Sequence, residues 1–564
     1  MRFPFAFVVN LLLLILTPLR WLRRRTAAPR GAFLDLRIDG ALVEVARALP
    51  FWQRGRQPVA LHALRKLLEA AGSDPRVAGV LVRIESLRVG TARATSLRDV
   101  LLAFRAAGKQ VAVYLPHGGG TLAVYVASAA DRVLVGAETH LELTGFAIEA
   151  TYLKGLLDRV GVEPEVFAKG QFKTAGEFLE RKSMSEAQRE QLGAVLDVAH
   201  GALLDALASG RGIDRAAAES LVDQAPWSAR AALDAGLVDD VIYPDELAGR
   251  LDATRTKGAP LVPAAGYLRR RTPRFVRFRR PRSVAVVEVV GAIVSEAPLS
   301  LMPVAAEGPV CRTLERARED SRVSGVVVVV NSRGGSALAS DRMLRELSLL
   351  AKQKPVAVYM GDVAASGGYL IAVGAPTIVA QPTTVTGSIG VVAARLVAES
   401  LLARLGVAIE VVKRGKRADM TNPSRRLTTD ERSALEAQLD GVYASFLQVV
   451  ARGRGRSVDQ IEPLAGGRVW SGRDAHAHGL IDQLGGFDLA LADVRRRIGA
   501  AGAKLEPMVI GPAHFRPPGP LARLVRGGAQ ALRLGSVVDL AELAAGEPRA
   551  RAWLWSEVAA VSEG

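Results

Sequence analysis

One cysteine, Cys311, stands in 564 residues. No disulfide can form within the chain, and no cysteine-based zinc site can be assembled. Aromatic residues make up only 5%, few for the stacking platforms that hold single-stranded nucleic acid. Histidine is missing between residues 201 and 475: His62, His117, His140 and His200 come before, and His476, His478 and His514 after. Charge is abundant but unevenly placed. Residues 1–30 carry six arginines and no acid, and residues 251–283 carry ten basic side chains against Asp252, so these two segments hold +15 of the net +17. The remainder is nearly neutral, which is not the pattern of a broad nucleic-acid-binding face. The clusters point instead to an anionic membrane surface.

Apolar residues reach 49%, which excludes a mainly disordered chain. The N-terminal apolar run, Phe3–Leu19, would span about 25 Å as a helix, at the short end for a bilayer. It is followed by arginines rather than a small-residue cleavage site, so residues 1–30 read as an uncleaved membrane anchor or in-plane helix with a basic flank. More positive charge follows the run than precedes it, which favours a cytoplasmic body.

An internal repeat organises the rest. VAVYL at 111–115 matches VAVYM at 356–360, an offset of 245 that also carries Gly145 to Gly390, Gly161 to Gly406 and Gly170 to Gly415. GVLVRIES at 79–86 matches GVVVVVNS at 325–332 at offset 246, and Trp227 matches Trp470 at offset 243. The expected layout is a first repeat over 31–250, a basic linker over 251–283, a second repeat over 284–502 and a C-terminal tail over 503–564. Each repeat reads as α/β. Short β-branched runs such as Val323–Val330 and Val356–Met360 look like buried parallel strands, and Ser340–Ala351 and Thr428–Arg452 like helices.

Chemistry lies where the repeats differ. In the second, a strand runs into GDVAASGGYLIA, placing Ser366 at a strand–turn–helix passage with amides free to face an oxyanion. Another strand ends in NSRGGS, where the glycine pair Gly334–Gly335 offers a second amide. With no histidine in that stretch, a histidine base is possible only across domains and no motif supports it, while a lysine can serve. It must be neutral to act, which requires lowering its ordinary pKa of about 10.4 by roughly three units.

VNSRGGS, VAASGGYLIAVGA and VTGSIGVV in the second repeat, with GQFKTAGE in the first, resemble the long-form signal peptide peptidase A (protease IV) family over nearly all of residues 31–500. The resemblance implies a tandem ClpP/crotonase-like fold and a membrane-bound serine endopeptidase that forms homotetramers, degrades residual signal peptides and other short apolar peptides, and uses no metal or cofactor. It also implies the bacterial inner membrane with a periplasmic body, against the charge rule. By motif match, Ser366 is the nucleophile, Lys173 the general base, Ser388 the residue that orients the lysine, and the amides of Gly367 and of Gly334 and Gly335 the oxyanion hole. The repeat offsets are consistent with this division: Ser366 corresponds to Thr121, Ser388 to Leu143, Gly334 and Gly335 to Arg88 and Val89, and Lys173 to Ala418. Arg333 and Phe172 depart from the family's usual proline and tyrosine. Lys413 and Lys416, close to Ala418, are rival bases. The alternatives are a crotonase-type acyl-CoA enzyme and a catalytically silent membrane scaffold.

Overall fold

Two mainly parallel sheets, one per repeat, frame the protein in the computed structural model, which describes residues 28–47, 58–271, 281–296, 303–511 and 553–555. In the first sheet, Asp240–Val241, Arg132–Val135, Gln110–Leu115, Val77–Leu87, Ala32–Gly40 and Leu261–Pro263 lie side by side in that order, every pair parallel. The second repeats the plan with Val356–Ala365, Val323–Ser332, Ser283–Val290 and Pro507–Val509 in sequence. Parallel neighbours need crossover connections, and the helices that make them cover the sheet faces. The strands are therefore buried on both sides, which is why they read as unbroken apolar runs rather than as alternating ones. All ten residues of Val356–Ala365 are buried. Each valine so enclosed contributes roughly 1.5–3 kcal/mol relative to exposure.

The helices follow their local signals. Thr429–Arg454 opens on a capping box in which Thr428 Oγ1 accepts from the Glu431 amide and the Glu431 carboxylate accepts from the Thr428 amide. It closes on Gly455 in the left-handed conformation.

Part of the stretch read as a linker belongs to the first repeat. Leu261–Pro263 pairs with Ala32–Gly40 as an edge strand. The helix Ala264–Arg271 follows, with Tyr267 fully buried and its hydroxyl donating to Asp74 at 2.8 Å. An edge strand can be short and can carry proline, so three residues among arginines and prolines leave little pattern to read. Pro507–Val509 takes the matching place in the second sheet, at the same offset of 246, which carries that sheet past residue 502. The N-terminal anchor segment lies outside the described residues. Among those described, one helix, Glu186–Arg211, is long and apolar enough to cross a membrane, and half of its most apolar window is buried within the fold.

The repeats are joined by more than the chain between them. Glu163–Lys169 leaves the first repeat and pairs antiparallel with Val391–Val397 of the second, from Val391 opposite Lys169 to Val397 opposite Glu163. Buried Glu165 fixes this strand to the second repeat through Arg395 and Arg432, both at 2.9 Å. On the other side, buried Glu44 and partly buried Arg93 of the first repeat meet Asp362 of the second, with Arg93 3.3 Å from Asp362 and 3.6 Å from Glu44. Burial pushes the Glu44 carboxyl up to about 7, against the opposing guanidinium of Arg93.

His62 is a third clasp, with Nδ1 2.7 Å from Asp488 and Nε2 3.8 Å from Glu506. Burial pulls its pKa down, but hydrogen bonding to the two carboxylates outweighs this, and the net direction is up. A group raised in the folded state contributes stability that is complete below its unfolded pKa of about 6.5 and is lost as pH rises through the folded value. The expected result for His62→Ala is a stability deficit of about 1–3 kcal/mol between about pH 5 and 6.5 that narrows at higher pH. Denaturant unfolding from about pH 5 up to about pH 9 checks it, and a deficit that widens with pH would contradict it.

Candidate active site

Ser366 is held where a fully buried strand turns into a helix. Val356–Ala365 ends at Ala365, and Gly367–Ala372 begins immediately after. Ser366 itself sits at φ 54°, ψ −117°, a region that costs a non-glycine residue about 1–3 kcal/mol. The surrounding backbone enforces the bend: the Ser366 amide donates to the Gly387 carbonyl at 2.7 Å, and the Ser366 carbonyl accepts from the Leu370 amide at 2.9 Å. The turn packs so closely that a Cβ on Gly367 would lie 2.4 Å from Ser340 Oγ. The same Cβ position is 3.4 Å from the Gly335 nitrogen, so the Gly334–Ser336 strand runs against the start of the helix. Gly334 and Gly335 have φ of 103° and 150°, which the Gly-Gly pair allows. The Gly334 amide already donates to Ser332 Oγ at 3.1 Å.

Lys173 reaches this turn from the other repeat. Its side chain is 4% exposed, against 0% for Ser366 and 2% for Ser388. Lys173 Nζ is 2.9 Å from Ser366 Oγ, 3.0 Å from Ser388 Oγ and 3.1 Å from the Ser388 carbonyl oxygen. Lys173 arrives there because Glu163–Lys169 is annexed to the second repeat's sheet and ends four residues earlier. Ser388, at φ 53°, is anchored by its amide, which donates to the Arg468 carbonyl at 2.7 Å.

Residues that the sequence reading did not single out hold the lysine in place. The Phe172 amide donates to the Gly466 carbonyl at 2.8 Å. Gly467, at φ 82°, lies so close that a Cβ there would be 2.4 Å from the Lys173 nitrogen. Gln191, on the helix Glu186–Arg211, donates to the Phe172 carbonyl at 3.1 Å and to Thr174 Oγ1 at 2.8 Å, and accepts from the Val469 amide at 3.2 Å. Arg468 lies over the Phe172 ring at 4.5 Å and the Trp470 ring at 4.9 Å. The Gly466–Gly467 pair had a signal of the same kind as Gly334–Gly335: at offset 243 the first repeat has Asp223 and Gln224 there. Gln191 had none, because its partners, two main-chain groups and the Thr174 hydroxyl, form no local sequence pattern with it.

The rival lysines lie elsewhere. Lys413 pairs with Asp419 at 2.6 Å, and Lys416, whose side chain is 83% exposed, faces Asp430 at 3.6 Å. Thr121, which corresponds to Ser366, donates to the carbonyls of Glu142 and Gly145 at 3.3 and 3.0 Å. The Cys311 thiol is pushed up to about 11, chiefly by burial, which keeps it from the thiolate form a nucleophile requires.

Comparison with known proteins agrees with the two-repeat organisation. Peptidase family S49 matches the chain twice, over residues 103–256 and 348–500. The chloroplastic serine protease SPPA of Arabidopsis thaliana is 33% identical over 501 residues, covering 87% of this chain and 72% of that protein. Protease 4 of Haemophilus influenzae is 30% identical, covering 83% and 79%, and Protease 4 of Salmonella typhi is 31% identical, covering 77% and 72%.

Proposed function

Because the chain belongs to peptidase family S49 and is therefore a serine peptidase, we propose that Ser366 is its nucleophile and Lys173 its general base, in one site built from both repeats. The observation that carries this reading is the 2.9 Å contact between Lys173 Nζ and Ser366 Oγ. Taking an amine out of water favours its neutral form. A neutral Lys173 directs its two N–H bonds at the hydroxyl and carbonyl of Ser388 and turns its lone pair to the Ser366 hydroxyl. It takes that proton as Ser366 Oγ attacks the peptide carbonyl. The amides of Gly367 and Gly335 receive the oxyanion, while Gly334, bonded to Ser332, holds the turn. Lys173 then protonates the leaving amine, and in the second half-reaction it takes a proton from the water that hydrolyses the acyl-enzyme.

The proposed substrates are cleaved signal peptides and other short apolar peptides, met at a membrane to which residues 1–30 attach the protein. The name signal peptide peptidase SppA is carried by a relative from Enterococcus faecium, and we place the body on the periplasmic side of a bacterial inner membrane on the family's precedent. The proposed assembly is the family's homotetramer, and the strand exchange supports a contact that could build it. By the offset of 245, Glu163–Lys169 corresponds to 408–414 and Val391–Val397 to 146–152. Neither counterpart forms a strand, and 408–414 presents Ile409, Val411 and Val412 at 49%, 47% and 91% exposure. Pairing 408–414 of one copy with 146–152 of the next would repeat the internal contact between chains and close a ring.

A fluorophosphonate tests the nucleophile directly. The expected result is one covalent adduct per chain, mapped by peptide mass spectrometry to Ser366 and absent from Ser366→Ala. A folded chain that takes no label would return the protein to the scaffold reading.

A further inference from the structure

The strand that leads to Ser366 breaks its regular pairing shortly before the turn. Val330 faces Met360, but two residues further on Ser332 faces Ala364, so residues 361–363 bulge out of the ladder. Polar groups hold the bulge: the Val363 amide donates to Asn331 Oδ1 at 3.0 Å, and Thr384 Oγ1 donates to the Gly361 carbonyl at 2.8 Å. A bulge re-aims a side chain, and this one sends Asp362 out of the second repeat and into the first.

There Asp362 meets the helix Thr91–Ala106. Gly90 stands at the N-cap and has no side chain to satisfy the first amides. Asp362 takes that part from across the interface. Its Oδ1 accepts from the Arg93 amide at 3.1 Å, and its Oδ2 lies 3.3 Å from the Arg93 guanidinium. The fit depends on glycine, since a Cβ on Gly90 would lie 2.4 Å from Asp362 Cγ. The second repeat solves the same problem locally. At offset 246 Gly90 corresponds to Ser336, whose hydroxyl accepts from the Ala339 amide and caps its own helix. At offset 245 Asp362 corresponds to His117, whose imidazole is 73% exposed beside Glu85. One repeat lacks a cap where the other supplies one.

We propose that Asp362 is a positioning residue for Ser366, pinning the nucleophile's strand to the repeat that contributes the base. The inference rests on the Ser366–Lys173 reading of the site. On that reading the distance between base and nucleophile is a distance between repeats, and Asp362 ties the repeats together four residues before the serine. A misplacement of about 1 Å at a reacting group costs about a hundredfold in rate.

Two variants separate positioning from helix stability. Asp362→Ala removes both the cap and the pin. Gly90→Ser combined with Asp362→Ala restores the cap from within the first repeat, as Ser336 does in the second, and leaves the pin broken. The new side chain enters the space that the carboxyl filled, and Arg93 keeps Glu44 as a partner at 3.6 Å. The expected result, with a quenched fluorescent apolar peptide, is a kcat about ten- to a hundredfold lower in both variants with KM within about threefold of wild type. The melting temperature lost in Asp362→Ala should return in the double variant. Wild-type kcat in Asp362→Ala overturns the proposal. So does a double variant that regains kcat along with its melting temperature, which makes Asp362 a helix cap only. A double variant that does not recover its stability overturns it too, because Asp362 is then a folding residue. Fluorophosphonate labelling keeps the two readings apart: slowed labelling of Ser366 in both variants supports the pin, whereas a wild type that takes no label removes the serine mechanism itself.

Discussion

Lys173→Met is expected to lower peptide turnover by about 10²–10⁴-fold, the range usually contributed by a positioned general base. Methionine keeps an unbranched apolar stem of similar reach, so the loss isolates the amine rather than the packing. Lys413→Met and Lys416→Met are the controls and should stay within about twofold, because both side chains face carboxylates away from Ser366. Steady-state kcat/KM on one peptide substrate decides the matter. Turnover by Lys173→Met within tenfold of wild type would mean that the base is not contributed by the first repeat.

The second large effect comes from a residue with no chemistry of its own. Gly467→Ala should reduce kcat about 10²-fold and destabilise the protein by about 1–3 kcal/mol. Gly467 sits at φ 82°, and an added Cβ would lie 2.4 Å from the Lys173 nitrogen and 2.5 Å from its Cα and Cβ. The methyl group cannot be accommodated by a rotamer change, since what it meets is main chain, so the lysine must shift relative to Ser366. Gly441→Ala is the matching control. It lies inside the helix Thr429–Arg454 with nothing within 4 Å of the added Cβ, so alanine there should be neutral or stabilising by about 0.5–1 kcal/mol. Thermal unfolding and kcat measured on both variants check the contrast, and a Gly467→Ala enzyme with wild-type kcat would show that the Gly466–Gly467 turn does not position the base.

What was legible in the sequence follows from which interactions are local. Val323–Ser332 and Val356–Ala365 announce themselves because a parallel strand buried on both faces can use only apolar residues. The helix Thr429–Arg454 is visible through Thr428 and Glu431, which satisfy each other's amides within four residues. Ser366 and Lys173 were named by motif match to the family, and the repeat offsets agree with the proposed roles, since each stands where the other repeat has no such side chain. Leu261–Pro263 and Pro507–Val509 were hidden because three residues at a sheet edge carry no period. Glu163–Lys169 is hardest of all. Its own residues read as an ordinary segment of the first repeat, and only the second repeat's Val391–Val397 gives it a partner.

That exchanged strand has a consequence for the protein's own synthesis. The first repeat emerges from the ribosome with its amine in place and no hydroxyl to act on. The second brings its hydroxyl but no group to activate it. On the proposed Ser366–Lys173 reading, a nascent chain, a fragment, or a molecule with one half misfolded is harmless to its neighbours, because neither half holds both groups. On the same reading, cutting begins only when Val391–Val397 has captured Glu163–Lys169, so the enzyme carries its own proof of completed folding in place of a removable propeptide.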